Sequence, residues 1–253
     1  MKKQPALTTP LRQIKMTSSH FYEGGHQTMP KVSEEYYKNK RKEIVDAAYR
    51  VCTRKPITSI EMKDIIEETG FSHGVIYRYY KDLDEVLKDL VITINGNNKI
   101  DDRLDEILKK ADRDNWEQTI YDICAMQADY MKEVGTDLLK VSIYSDMLAM
   151  TDPERAMNIA QRLGKDEQSP LLYATVATEK FLKDVVKHNK LKPAASIDEI
   201  IQFMIVNYHG IQTGYVLSEC FKVPHIEGKY KPEDMFRNLA TSVILMMGGK
   251  AKK

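Results

Sequence analysis

Gly70, set between two short helical patterns, is the feature that most limits what this 253-residue chain can fold into. Upstream of it, Met62, Ile65, Ile66 and Thr69 recur at i, i+3, i+4 and i+7, the apolar stripe of a helix. Thr58 and Glu61 have the spacing of a capping box, which predicts that this helix begins at Thr58. Gly70 supplies the left-handed stop that a side chain with a Cβ resists. After a turn of about three residues, Ser72 predicts the cap of a second helix. On that helix Ile76 and Tyr80 share one side, while His73, Gly74, Tyr77 and Arg78 fall largely on the other. One face is built to pack and the other is left to touch something.

A helix of this kind fits the major groove of B-DNA, with residues near its N-terminus at base edges and its flanks against phosphates. His73 can donate or accept at a purine edge, Val75 can meet a thymine methyl, and Gly74 lets the backbone come close. Tyr77, Arg78 and Tyr79 suit phosphate oxygens, contacts that position without specifying. Glycine-turned helix pairs also occur in all-α proteins that bind no nucleic acid, where Tyr77 and Tyr79 would be ordinary half-buried aromatics.

The run Thr69-Gly70-Phe71-Ser72-His73-Gly74-Val75-Ile76-Tyr77-Arg78-Tyr79-Tyr80 resembles the DNA-binding module of tetracycline-repressor-like (TetR-type) regulators. The helical stripe before it, Ile44, Ala47, Ala48 and Val51 within 39–52, is similar to the first helix of that family. The resemblance implies DNA contacts from Ser72, His73, Gly74, Val75, Tyr77, Arg78 and Tyr79, and from Lys63 on the helix before. One position departs: the family usually carries a lysine at the start of its fourth helix, where this chain has Leu83, with Lys81 two residues earlier as the available substitute. The partner implied is double-stranded DNA with a palindromic operator.

Bulk properties are permissive. The chain is 42% hydrophobic with a formal net charge of +1, so overall charge does not announce a nucleic-acid partner. Between Met29 and Asn95, twelve basic residues face twelve acidic ones, so any attraction must come from one face. Glu67, Glu68, Asp84, Glu85 and Asp89 are expected to point away from DNA. No window reaches the roughly eighteen apolar residues of a membrane span, and no apolar leader opens the chain, which predicts a cytoplasmic protein with no membrane partner. Cys52, Cys124 and Cys220 are too far apart and too few to suggest a metal site or disulfide framework. No phosphate loop, zinc pair or nucleophile elbow is present, so neither an enzyme nor a cofactor is expected. A helical enzyme or ligand carrier remains the remote alternative.

Helical periodicity with clear punctuation continues to the end, and the fold class expected is all-α. Residues 1–28 are polar, aperiodic and read as a disordered extension. Residues 29–82 form the expected DNA-binding domain, and 83–253 the expected helical effector-binding and dimerisation domain. Asp152-Pro153 starts a helix expected to end at Gly164, and Ser169-Pro170 starts another reaching about His188. Ser196 and Glu199 form a second capping box, after which Ile201, Met204, Tyr208, Ile211 and Tyr215 lie four and three apart. Gly210, Gly214 and Ser218 recur beside them, which would let another backbone approach. The last helix, from Pro232, carries Phe236, Leu239, Val243 and Met247. The resemblance implies that these final two helices meet their copies in a homodimer; the alternative is that both simply fill the core of one chain. It also implies a small-molecule effector pocket among the middle helices, for which Trp116, Met126, Tyr130, Tyr144, Met147 and Tyr173 are the candidates. Control by a protein partner, or by no ligand, is the alternative.

Overall fold

The computed structural model describes residues 33–97, 100–163, 169–220 and 230–250; the expected disordered extension over 1–28 and the helix end at Gly164 lie outside them. The elements in chain order are α1 (Glu34–Cys52), a 3-10 turn (Ile57–Ser59), α2 (Met62–Thr69), α3 (His73–Tyr79), α4 (Leu83–Asn97), α5 (Ile100–Lys109) and α6 (Trp116–Thr151). They continue with α7 (Pro153–Arg162), α8 (Pro170–Asn189), α9 (Ile197–Cys220) and α10 (Pro232–Met246), and the described residues contain no strand. The all-α expectation holds.

Local chemistry explains most boundaries. Ser33 accepts the Tyr36 amide and opens α1 at Glu34, five residues before the expected start at 39, so the helix is longer than the periodicity indicates. The expected start of α2 at Thr58 is wrong. Residues 57–59 make a 3-10 turn, and the reciprocal cap lies three residues later, between Glu61 and Asp64, with the Glu61 amide donating to Asp64 Oδ2 at 2.9 Å. Asp64 also takes Lys55 Nζ at 2.5 Å, which explains why the cap is built there. Gly70 adopts φ 68° as expected. Ser196 and Glu199 do close their capping box, with the Ser196 amide 2.8 Å from Glu199 Oε2 and the Glu199 amide 3.2 Å from Ser196 Oγ. Asp152 caps α7 by accepting the Arg155 amide at 3.1 Å. In α6, Gly135 has φ 73° and ψ 170°, and the helix kinks there; no helical period announces a kink that leaves the apolar stripe intact.

Three apolar clusters hold the helices. The first joins α1, α2, α3 and α4, and runs on into Val141, Leu148 and Ile159 of α6 and α7. The reading head and the larger domain therefore share packing across residues 82 and 83. The second cluster gathers the first half of α6 with α8, α9 and α10, and the third joins α5 to α6 and α8.

One polar node ties the head together. Arg41 of α1 donates from Nη1 to the Tyr79 carbonyl at 2.9 Å and from Nη2 to Asp89 Oδ2 of α4 at 2.6 Å. The Tyr80 hydroxyl donates to the same carboxylate oxygen at 3.0 Å, and the guanidinium lies 4.2 Å from the centre of the Tyr80 ring. Burial works to raise the Asp89 carboxyl, but hydrogen bonds from Arg41, Lys88 and Tyr80 outweigh it and hold it below the ordinary value of 3.8. A depressed carboxyl contributes stability that is present above the ordinary value and lost as pH falls through the folded one. Asp89→Asn should therefore cost about 2 kcal/mol at neutral pH. The gap to the parent protein should close as pH is lowered through the aspartate range, read as thermal midpoints across a pH series.

Candidate nucleic-acid interface and ligand cavity

The outer face of α3 is uncovered within the chain. Ile76 is wholly buried and Tyr80 is 1% exposed, whereas Ser72, His73, Gly74, Tyr77 and Arg78 are exposed. Ser72 stands at the N-cap position, but its side chain makes no cap bond, which leaves its hydroxyl available. The His73 and Tyr77 rings, one turn apart, stack with centroids 6.3 Å apart and planes inclined by 20°. Gly74 lies in open space. Val75 is half-buried and packs partly against the head core, so only its outer edge could meet a base methyl.

Tyr79 needs correction. Its side chain is 8% exposed, its ring lies 4.9 Å from that of Tyr37, and its carbonyl is held by Arg41. It packs α3 onto α1 instead of reaching for phosphate. Tyr77, 50% exposed, remains outward. Lys63 and Lys81 are both exposed; Lys63 pairs with Glu61 at 2.9 Å, and the Lys81 amide donates to Glu85 at 2.8 Å while its side chain stays outside. Leu83, the position that departs from the TetR-type pattern, packs against the head core.

The acids expected to avoid DNA are largely consumed by internal pairs. Glu68 pairs with both Arg50 and Arg54, Asp89 with Arg41, and Asp84 with Arg155 of α7 at 2.7 Å.

Among the middle helices lies a cavity of about 400 Å³ between α4, α6, α7, α8 and α9. Its apolar wall includes Leu87, Leu90 and Ile94 of α4 with Ala156 and Ile159 of α7. Of the six residues expected to line it, Tyr130 does and the other five do not. Trp116 is buried beneath the C-terminal segment, where its ring meets Gly249, and Met126 is buried with α5 and α8. Tyr144 packs on the head cluster, Met147 is half-buried away from the cavity wall, and Tyr173 donates its hydroxyl to Asp105 of α5. Aromatic and Met positions at helical spacing are filling core, and the wall is aliphatic instead. Sequence reasoning missed Asp146 and Gln212, which share the polar side of the cavity with Tyr208 and His209.

The expected dimer residues also move. Phe236, Leu239, Val243 and Met247 are 0–5% exposed inside one chain, and Ile201 is 6% exposed. They are core, as are the half-buried Met204, Tyr208, Ile211 and Tyr215 packed against them. Gly214 admits the Tyr230 ring of the same chain, since a Cβ there would stand 3.0 Å from Tyr230 Cδ1. The α9 face left open is the opposite one: Val206 is 69% and Leu217 52% exposed, with Gly210 and Thr213 exposed between them. These positions recur four, three and four residues apart, and the neighbouring α10 adds Leu245 at 55%.

Residues 44–90 match the model of the bacterial regulatory proteins of the tetR family. Over that segment the chain is similar to the family's DNA-binding region. An uncharacterized HTH-type transcriptional regulator of Bacillus subtilis, YfiR, is 32% identical over 113 residues, or 45% of this chain and 49% of the relative. The chain thus spans about half the length of the curated relative it matches. The fatty acid degradation regulator FadR of Bacillus halodurans has the same fold, with TM-score 0.58 and 17% identity over 85% of this chain and 97% of its own. FadR of Bacillus subtilis, solved in complex with stearoyl-CoA, superposes with TM-score 0.57 and 16% identity over 83% of this chain and 99% of its own. The chain thus shares the all-helical fold of these regulators over most of its length. Among the described residues no helix is long and apolar enough to cross a membrane.

Replacing His73 by Ala should cost about 1–3 kcal/mol of DNA affinity at one base-pair position per half-site. Tyr77→Ala should weaken all sequences alike. Binding of a duplex selected from a random pool, and of its single-base variants, checks both.

Proposed function

We propose that this protein is a homodimeric transcriptional repressor that reads a palindromic operator through α3 and leaves it when a small apolar effector enters the cavity between α4 and α9. The observation that carries the reading is the uncovered polar face of α3, held rigidly from behind by Ile76, Tyr79 and Tyr80. A helix of seven residues makes too few contacts for a specific site, so two copies about one helical turn of DNA apart are needed. Val206, Gly210, Thr213 and Leu217 form an exposed seam along α9 at which a second copy can pack, and large apolar side chains left in such a row mark an interface. The family model and the helix-turn-helix relative support DNA binding as the activity. A protein acting on DNA in this way works in the cytoplasm and requires no catalytic step and no cofactor.

The cavity supports a ligand over a protein partner as the controlling agent, because its volume falls within the range of small-molecule sites and its wall is aliphatic. It is also well sited to act. Leu87, Leu90 and Ile94 belong to α4, the helix anchored to the reading head through Asp89, and Ile57 of the turn preceding α2 lines the same cavity. A ligand that displaces α4 relative to α7 would alter the separation of the two reading heads.

Carrying both Val206→Asp and Leu217→Asp should convert the dimer to a monomer of unchanged helicity in sedimentation and circular dichroism. Operator affinity should then fall by about a hundredfold with loss of the second head. A dimer that survives both substitutions would refute this interface.

A further inference from the structure

The cavity is chemically lopsided. One side is aliphatic, from α4 and α7; the other, where α6 faces α9, carries Asp146, Tyr208, His209 and Gln212. Gln212 is 1% exposed, and its Nε2 donates to the Leu139 carbonyl at 3.2 Å. That bond fixes which way the amide points, because a flipped amide would set two oxygens against each other. The remaining atom, Oε1, is buried and has no hydrogen-bond partner among the described residues. A buried acceptor left without a donor is costly, and such an atom at a cavity wall is an invitation to a donor from outside the chain.

Asp146 adds charge of the matching kind. Its Oδ2 lies 3.3 Å from Nδ1 of His209, which stands one turn before Gln212 on α9, and the Asp146 side chain is 49% exposed. Burial by its neighbours pushes the carboxyl above its ordinary value of 3.8, with His209 pulling the other way. The Tyr208 phenol is raised by burial first and then by Tyr130 and Asp146, which puts its hydroxyl in the field of the same carboxylate. Among the described lining residues there is no Lys or Arg, so Asp146 and His209 are the charge-bearing groups of the wall.

We propose that the ligand of this cavity is an apolar molecule with a protonated amine head, whose N–H groups bond Asp146 and Gln212 Oε1 while its body lies against α4 and α7. The proposal rests on the effector reading and names the chemical class of that effector. An ammonium supplies three donors and one positive charge, and here it meets one anion and one orphaned acceptor. A carboxylate head would bring a second anion to Asp146 and could satisfy nothing at Gln212. An alcohol head could satisfy Gln212 without answering the charge.

The test uses the full chain with decylamine, decanol and decanoate, read by titration calorimetry and by release of fluorescent operator duplex. Decylamine should bind about tenfold tighter than decanol, since a charge-assisted bond exceeds a neutral one by that order, and decanoate should bind most weakly. Asp146→Asn should remove the amine's advantage and leave decanol within about twofold, whereas Asp146→Glu should retain most of it. Decanoate binding as tightly as the amine, or amine affinity unchanged in Asp146→Asn, would overturn the assignment. If decanol or decanoate binds at least as tightly as decylamine and releases the operator, the effector reading stands and the amine head falls. If none of the three binds, both fall.

Discussion

Everything the reading head can do depends on the orientation of α3, and that orientation is fixed by one guanidinium. Arg41 bonds the carbonyl at the C-terminal end of α3 and the carboxylate of α4 at once, while its plane covers the Tyr80 ring. A helix of seven residues has too little hydrogen bonding of its own to persist, so its direction must be imposed by what lies behind it. Apolar burial of Ile76 alone would let the helix roll about its axis. The forked geometry of an arginine, bonding two elements in fixed directions, removes that freedom. Tyr79 and Tyr80, adjacent in sequence, both end on the inner side because α3 stops at Tyr79 and the chain turns extended at Tyr80.

The same helix that Arg41 anchors also forms a wall of the cavity, and under the proposed function this would be the mechanical route from ligand to DNA. α4 is gripped at both ends of its first half. Asp89 faces α1, while Asp84 and Asp82 face Arg155 and Arg162 of α7. Leu87 lies between these pairs and Leu90 just beyond them, and both line the cavity. A ligand pushing on these leucines must strain either the grip on α7 or the grip on α1. The pair with α1 is the stronger candidate to hold, because three residues, Arg41, Tyr80 and Lys88, bond Asp89, whereas Asp84 is met by Arg155 alone. The head would then move with α4, and the interface with α7 would yield. Ile57 supplies a shorter path, because it touches the cavity one turn before the cap that starts α2.

How far the sequence discloses this architecture varies with the physics behind each feature. Helices declare themselves because their apolar stripe is a local, repetitive property, and Ile44, Ala47, Ala48 and Val51 are buried as that stripe requires. The turn at Gly70 is legible because one conformation demands one residue type. Which of two apolar faces meets another chain is not legible in the same way. The regular spacing of Ile201, Met204, Tyr208, Ile211 and Tyr215 describes a close-packed face without naming its partner, and here the partner is α10 and α6 of the same chain. The outward seam, interrupted by Gly210 and Thr213, is the weaker pattern of the two. Cap assignment failed at Thr58 for a related reason: Asp64 competes for the same role and is fixed by Lys55, nine residues away in sequence. The cavity wall escaped notice because aliphatic residues that line a space are identical, as residues, to those that fill one.

The neutrality of the head in sum poses a question of electrostatics that the pairing answers. Exposed charges farther apart than about 8 Å hardly sense each other at physiological ionic strength, so a phosphate responds to the face it meets and not to the total. Glu68, Asp64, Asp82, Asp84 and Asp89 are each spent on an arginine or lysine within the chain, and Glu68 takes two arginines. Arg78 and Lys81, by contrast, are exposed at the end of α3 and make no ion pair with a described residue. Their charge is therefore uncompensated where the helix would flank a groove. Twelve acids balance twelve bases along the sequence, yet the balance is struck behind α3 and leaves its outer flank positive. Under the proposed function, two uncompensated charges on that flank would hold DNA in general only weakly and leave a larger share of the recognition to base contacts from His73 and its neighbours.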